Sequence, residues 1–417
     1  KFSVRPDLEP VELVCFKADF MESSGSHNTG AANFVDDLYA ATTSITGSGE
    51  MIKSPAQKHF TDKKIVTCIK GHPCVVFYNP GVDENGNVLS KEDNNNYTYI
   101  GKYNLNLDKA TPEPFGFRHD DGYGLDENNK SLIHCFEFLD NTIKVCNFQP
   151  KEGLNYYDTW HNEFIDYDDE GNVTGKHFGW TEGFESRYPE YEDEEITADL
   201  IDHYYTMCAW VNELWTLKQT GEDGKRLANE RFAAEYKCHF DPDFLLSYYV
   251  ITTILQMTDN RVKNCMIATW GRKKVTYTDV TTGEERESEN FIWCPIFYDM
   301  DTLLGLDNTG HIYYDYYEDD SSADVYNGND VLWDFVRDAL SLDVIKMYNN
   351  MESSNGNLLV PSTLLSYFND NQADMANEAF YNGDAKYKYI DTFRSGYKDL
   401  LNNKDIAPGE GPRLYAA

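Results

Sequence analysis

Basic residues are scarce in this chain. Lys and Arg total 36 against 71 Asp and Glu, a formal net charge of −35 over 417 residues. Recognition of nucleic acid through its phosphates needs clustered cations, and docking on anionic lipid needs a polybasic face, so the charge argues against both. It suits a soluble protein, an assembly component or a partner for basic surfaces. Long apolar runs are missing too, since none approaches the roughly 18 residues a membrane-spanning helix needs. The nine cysteines contain no C-x-x-C pair, which removes zinc-knuckle and thioredoxin-like motifs. Their odd number and scatter predict buried thiols in a chain folded under reducing conditions. Internal repeats and low-complexity linkers are absent. No signal-peptide pattern opens the chain, and a strand-like segment starts at once, as expected of a mature product or a part of a larger protein.

What is present is core-forming material: 41% hydrophobic residues and 14% aromatics, with 30 Tyr and 23 Phe. Such a composition can offset the entropy of folding, which a disordered chain cannot. The alternation in Val11–Asp19 predicts a strand, and the spacing of Phe34, Val35, Leu38 and Tyr39 predicts a helix over about Ala31–Thr42. Further strands are expected at Ile65–Ile69, Cys74–Tyr78 and Tyr97–Leu107, the last two separated by a turn containing D-E-N-G-N. The stretch 111–197 is weakly patterned, with candidate strands at Leu132–Phe138 and Ile143–Phe148. Beyond it Ala198–Leu217 and Asp241–Met257 read as long helices, the second opening with Asp as N-cap and Pro at the first helical position. Strands at Cys265–Trp270 and Phe291–Tyr298 flank a turn-rich insertion, and from Val331 the pattern is mostly helical.

One constellation carries chemistry. The second long helix runs into T-D-N-R-V-K-N, placing Asp259 five residues before Asn264. That is the spacing of a kinase catalytic loop, where the Asp sits beside the attacking hydroxyl and the Asn holds magnesium. The following strand pair ends in Y-D-M-D, which puts Asp299 at the mouth of a sheet as an oxygen ligand for a metal bound to nucleotide phosphates. A D-x-x-x-x-N alone is weak. The whole order of helix, D-x-x-x-x-N, strand, hairpin, strand and aspartate pair is more specific.

These residues resemble the CotH kinase family. The similarity rests on F-D-P-D-F-L-L-S-Y-Y-V-I-T-T-I-L-Q-M-T-D-N-R-V-K-N and W-C-P-I-F-Y-D-M-D-T-L-L-G. The segments F-K-A-D-F-M-E-S-S-G-S-H-N and Y-T-Y-I-G-K-Y-N-L-N-L-D-K precede them in the corresponding order. Together they span roughly Val11 to Leu306, with poor matching over 111–197. The resemblance implies an α+β, two-lobed protein-kinase-like fold with a strand-rich N-lobe over 1–110, an insertion or lobe-linking region over 111–197, and a helical C-lobe over 198–417. It implies an atypical kinase using ATP and Mg²⁺ or Mn²⁺ to phosphorylate Ser or Thr of a protein partner. Asp259 would be the catalytic-loop aspartate, Asn264 and Asp299 the metal ligands, and Asp301 an auxiliary acid at the metal. Lys17, ending V-C-F-K, would face the α and β phosphates, with Glu22, Asp36 and Asp37 as candidate acidic partners. Asp108, beside Leu107 and Lys109, would lie at the link between lobes where adenine binds. The chain departs from ordinary protein kinases: no G-x-G-x-x-G precedes Lys17, no His-Arg precedes Asp259, and neither a D-F-G nor an A-P-E is present.

A second expectation is structural: a CotH-like domain serving as scaffold in a phage virion (tail) or spore coat, within a larger multi-subunit particle. A virion, coat or extracellular location then fits better than a free cytoplasmic enzyme. A carbohydrate-active enzyme working through two carboxylates has only composition behind it. D-E-N-G-N at 83–87 reads as a turn, because its Gly is misplaced for a calcium loop. The ten His show no ligand spacing, and Ser23, Ser24 and Ser26 lack a nucleophile-elbow context. The Tyr313–Tyr317 run reads as packing or a contact surface.

Overall fold

The computed structural model describes residues 3–17, 27–109, 111–138, 162–178, 184–189, 198–257, 260–261, 264–306, 331–354, 356 and 358–373. The fold is mixed α+β with several small antiparallel sheets. Strands β1 (Val14–Lys17), β2 (Gly71–Tyr78) and β3 (Thr98–Leu107) form one sheet in the order β1-β3-β2, with Lys17 opposite Asn104. Between β1 and β2 runs α1 (His27–Ala41), which buries Ala31, Phe34, Val35 and Leu38 at helical spacing. The short α2 (Pro55–His59) is closed by a reciprocal capping box between Ser54 and Gln57.

A second sheet gathers β4 (His134–Phe138), β7 (Phe184–Tyr188), β8 (Cys265–Thr269) and β11 (Cys294–Phe297) in the order β11-β8-β4-β7. The weakly patterned region 111–197 thus supplies two strands to the sheet that ends at Asp299. Two further hairpins form separate two-stranded sheets: β5 (Glu163–Tyr167) with β6 (Val173–Phe178), and β9 (Arg272–Thr278) with β10 (Glu285–Phe291). The helices are α3 (Ala198–Lys218), α4 (Glu222–Glu235), α5 (Pro242–Ile254), α6 (Val331–Ala339), α7 (Ser341–Glu352) and α8 (Pro361–Ala373).

All five residues of β8 are buried, as C-M-I-A-T leads one to expect of a strand covered on both faces. Helix α5 is apolar nearly all round and correspondingly central, burying Phe244, Leu245, Leu246, Tyr248, Val250 and Ile251. Its first turn is held by Asp241, whose side chain accepts from the amides of Asp243 and Phe244. Phe136 links the second sheet to α3 through Tyr204 (ring centroids 4.9 Å) and to the start of β11 through Trp293 (5.8 Å). The eight cysteines among the described residues are free thiols, six of them buried, as the sequence suggests.

Three expectations need correction or addition. Ile65–Ile69 is not a strand. Its amides go to different partners, Val66 N–H to the Pro114 carbonyl at 2.8 Å and Ile69 N–H to the Phe297 carbonyl at 3.3 Å, so only one isolated bridge forms, between Cys68 and Phe297. The insertion between β8 and β11 is itself the β9–β10 hairpin, and α4 was not foreseen at all. Ile143–Phe148 and Tyr313–Tyr317 lie outside the described residues. The turn at 83–87 is as expected: Asp83 Oδ1 accepts from the amides of Asn85 and Asn87, and Gly86 takes φ +81°.

Two core histidines make folding pH-dependent. Burial pushes His134 down to about 3 and His239, which stacks on Trp210, down to about 4. Both are neutral in the fold, whereas in the unfolded chain each takes a proton below about 6.5. The stability they allow is therefore complete above about pH 6.5 and is lost as pH falls toward 4. The slope is roughly 1.4 kcal/mol per pH unit for each histidine. Urea unfolding at pH 7, 6 and 5 should show this decline, and His239→Gln should make it shallower. An unchanged slope in the variant would remove His239 from the account.

Candidate functional site

Two loops meet at one end of the α5–β8–β11 unit. The first leaves α5 and enters β8 at Cys265; the second leaves β11 after Phe297. They run side by side: the Leu304 amide donates to the Leu255 carbonyl at 2.6 Å and the Gly305 amide to the Gln256 carbonyl at 3.1 Å. The crossing point is Asn260, fully buried, whose Nδ2 donates to the carbonyls of Tyr298 (2.7 Å), Asp299 (3.2 Å) and Asn264 (3.3 Å). One amide nitrogen therefore holds the backbones of both expected metal ligands, Asn264 and Asp299. The Asn260 carbonyl in turn accepts from the Tyr248 hydroxyl on α5. The Arg261 carbonyl accepts from Trp333 Nε1 on α6 at 2.8 Å.

The backbone here is held in an uncommon shape. Gln256, Asn264, Asp299 and Leu304 have φ of +47°, +52°, +48° and +58°, all in the left-handed region. Asn and Asp tolerate it better than other side chains, but each such residue costs on the order of 1–3 kcal/mol. Asn260 Oδ1 is buried without a hydrogen-bond partner among the described residues, a further cost. Local strain of this kind concentrates at functional sites.

Asp299 is reached from the first sheet. Lys17, at the end of β1, forms an ion pair with Asp299 Oδ1, both side chains about one-fifth exposed. Asn28, in the first turn of α1, adds two contacts: its Nδ2 lies 3.4 Å from Asp299 Oδ1, and its Oδ1 accepts from the Met300 amide at 3.1 Å. His27 Nδ1 sits 3.2 Å from the Asp301 carbonyl. The partner of Lys17 is thus Asp299 rather than a residue of the following helix. Asp36 pairs instead with Lys70 (2.9 Å), and Asp37 accepts from the Tyr367 hydroxyl (2.8 Å). Glu22 lies outside the described residues.

Beside Lys17, Tyr298 is covered by a second charged layer. Lys109 Nζ stands 5.1 Å from the Tyr298 ring centroid and pairs with Glu137 at 2.8 Å, and Arg187 Nε pairs with the same carboxylate oxygen at 2.6 Å. Glu137 is buried, so two cations compensate one desolvated charge. Burial, with the nearby Glu137 charge, holds the Tyr298 hydroxyl well above its ordinary value. Asp108 directly follows β3, next to the Val14–Leu107 pair, and its charge helps raise the pKa of both Cys15 and Tyr298.

The described residues therefore bring together Lys17 and Asp299 directly, Asn264 and Asp299 through Asn260, and Asp301 and Asp108 at the margins. Asp259 lies outside the described residues. Sequence reasoning missed Asn28, Asn260, Lys109 as a cation for Glu137, and the Glu137–Arg187 pair. Only Asn260 had a usable signal, being next to the D-x-x-x-x-N aspartate. Among the described residues no three His, Cys, Asp or Glu converge as a metal cluster.

Asn260→Ala should remove three hydrogen bonds at once and release both loops. The expected loss is about 2–4 kcal/mol in chemical denaturation, with faster amide exchange at Leu304 and Gly305. Unchanged protection of those two amides would show that the loops do not depend on Asn260. Compared with known proteins, the chain matches no family model, and no curated protein matches it.

Proposed function

We propose that this chain is a CotH-like, two-lobed atypical kinase that transfers phosphate from ATP to Ser or Thr of a protein partner in a metal-dependent reaction. The observation that carries this reading is the Lys17–Asp299 ion pair, formed across 282 residues of sequence. In protein kinases a strand lysine serves the nucleotide phosphates, while an aspartate after a later strand and an asparagine of the catalytic loop serve the metal. Here a strand lysine followed by a helix, an aspartate following a strand, and an asparagine ending D-x-x-x-x-N converge on one place.

The donor set suits Mg²⁺ or Mn²⁺. Asn264 and Asp299 offer an amide and a carboxylate oxygen, and a hard cation that keeps most of its shell for phosphate and water needs few protein ligands. Bound there, the metal would neutralise phosphate charge during transfer. Lys17 would hold the α and β phosphates from the other side, its amine already poised by Asp299. Asn28 and Asn260 would fix the orientation of Asp299, and Asp301 would add negative charge behind it. Asp108, at the end of β3, would contribute to the adenine side. Asp259 would orient the acceptor hydroxyl, so that catalysis comes mainly from positioning.

Transfer of label from γ-labelled ATP with Mg²⁺ tests this, in the chain alone and with a general protein acceptor. The wild type should incorporate label, and Asp259→Asn should lower the rate at least ~100-fold without loss of fold. Full activity in Asp259→Asn would sink the assignment. A folded wild type without any incorporation would favour the scaffold reading, in which the domain is a part of a virion or coat.

A further inference from the structure

A cavity of about 560 Å³ opens at the other end of α5, where Asp241 caps the helix. The helix has 13 residues, so this cavity is roughly 20 Å from the loops that carry Asn264. Its size falls in the range of small-ligand sites. Five lysines from four elements line it: Lys58 on α2, Lys237 after α4, Lys273 and Lys274 on β9, and Lys346 on α7. Acids outnumber bases about two to one in this chain, so five amines around one cavity run against its composition.

Two of these amines are engaged. Lys346 Nζ donates to the Ile45 carbonyl at 3.0 Å, and Lys274 pairs with Glu287 on the neighbouring strand. The other three, Lys58, Lys237 and Lys273, have no carboxylate within ion-pair distance among the described residues. Lys237 only covers the ring of Tyr236, 5.5 Å to its centroid. Four carboxylates share the cavity, and three of them are held in place by neutral donors. Asp243 accepts from Ser44 Oγ (2.6 Å) and the Ile45 amide (2.7 Å). Asp241 accepts from the first-turn amides of α5, and Asp343 accepts from the Tyr236 hydroxyl at 3.3 Å. Glu50 alone stays exposed at the rim. The walls between the amines are apolar, formed by Ile45, Phe240, Val275 and Ile292.

We propose that this cavity binds a phosphomonoester. Three ammonium groups without an ion-pair partner among the described residues are free to turn toward a ligand, a phosphate offers them three strong acceptor oxygens, and lysines bind phosphate as point charges without a fixed fork. The apolar walls then cover the carbon body that bears the phosphate. The ester comes either from a small metabolite or from a phosphorylated side chain of a protein, and the shared chemistry is the phosphate. The proposal stands on different residues from the nucleotide reading and does not depend on it.

Calorimetric titration of the full chain at low ionic strength tests it with three probes: glycerol phosphate, a phosphoserine peptide and the same peptide unphosphorylated. Both phosphomonoesters or one of them should bind saturably, and the unphosphorylated peptide should not. Lys58→Gln/Lys237→Gln/Lys273→Gln changes exposed side chains and should weaken binding at least ~10-fold, a loss of about 1.4 kcal/mol. Lys91→Gln/Lys176→Gln/Lys225→Gln makes the same change in net charge at exposed positions outside the cavity lining and should alter it less than ~2-fold, because charges beyond a screening length contribute little. Tighter binding of the peptide assigns the source to a protein, and comparable binding of both to a free metabolite. Equal weakening in the two triple variants, or no saturable binding by the wild type, overturns the proposal. Asp299→Ala should leave this binding unchanged, which keeps the result separate from the fate of the nucleotide site.

Discussion

The arrangement of the candidate site depends on one buried amide. Asn260 Nδ2 donates to three main-chain carbonyls that belong to two loops nearly forty residues apart, and its own carbonyl is held by Tyr248. Few side chains could do this. A primary amide offers two donor hydrogens at short reach, and an aspartate in the same place would repel the carbonyls it must hold. The unpartnered Oδ1 and the left-handed residues on either side are the cost of that shape. The surrounding core over-determines it: Tyr248 stacks on Phe297 (4.2 Å) and Trp333 (5.3 Å), so the anchor of Asn260 is locked between two rings.

Charge organises the rest. With a net charge of −35 the fold must hold its acids apart or give them cations, and two buried charges, Glu137 and Lys70, are each met by two groups of opposite sign. Glu137 receives Lys109 and Arg187, and Asp36 with Asp7 receives Lys70. Burial disfavours the Lys70 charge, yet the two carboxylates, Asp36 chiefly, keep its pKa above the ordinary lysine value. Lys17 belongs to the same economy of pairs, but its partner sits in a strained loop among asparagines rather than in a packed core. The lysines around the α5 N-terminal cavity break the pattern, because three of them share it with carboxylates yet have none within ion-pair distance among the described residues.

Legibility in the sequence followed apolar periodicity. Helix α1 carries its apolar residues at helical spacing, while α3, α5 and the strands around Cys74–Tyr78 and Cys265–Thr269 are apolar-rich over the length of the element, and they were readable. Helix α4 was not: it buries only Gly224, Ala228 and Phe232, and its surface relies on pairs such as Arg231 with Glu235. Of the β9–β10 hairpin only the turn was legible, since R-K-K-V-T-Y-T and E-R-E-S-E-N-F have little apolar alternation and pair through their backbones. Ile65–Ile69 misled in the opposite direction, being apolar enough for a strand yet divided between two partners. At the site, the D-x-x-x-x-N spacing and the aspartate after a strand drew attention to Asn264 and Asp299. Their convergence with Lys17 and Asn28 is a matter of tertiary packing, which no local pattern contains.

The central claim is that Lys17, Asn264 and Asp299 form a metal–nucleotide site. Thermal unfolding with ATP and Mg²⁺, against ATP with a chelator, tests it most directly in the wild type and in Asp299→Ala. The account predicts stabilisation that requires the metal and disappears in the variant. Equal stabilisation in both proteins, or none in the wild type at saturating nucleotide, would contradict it.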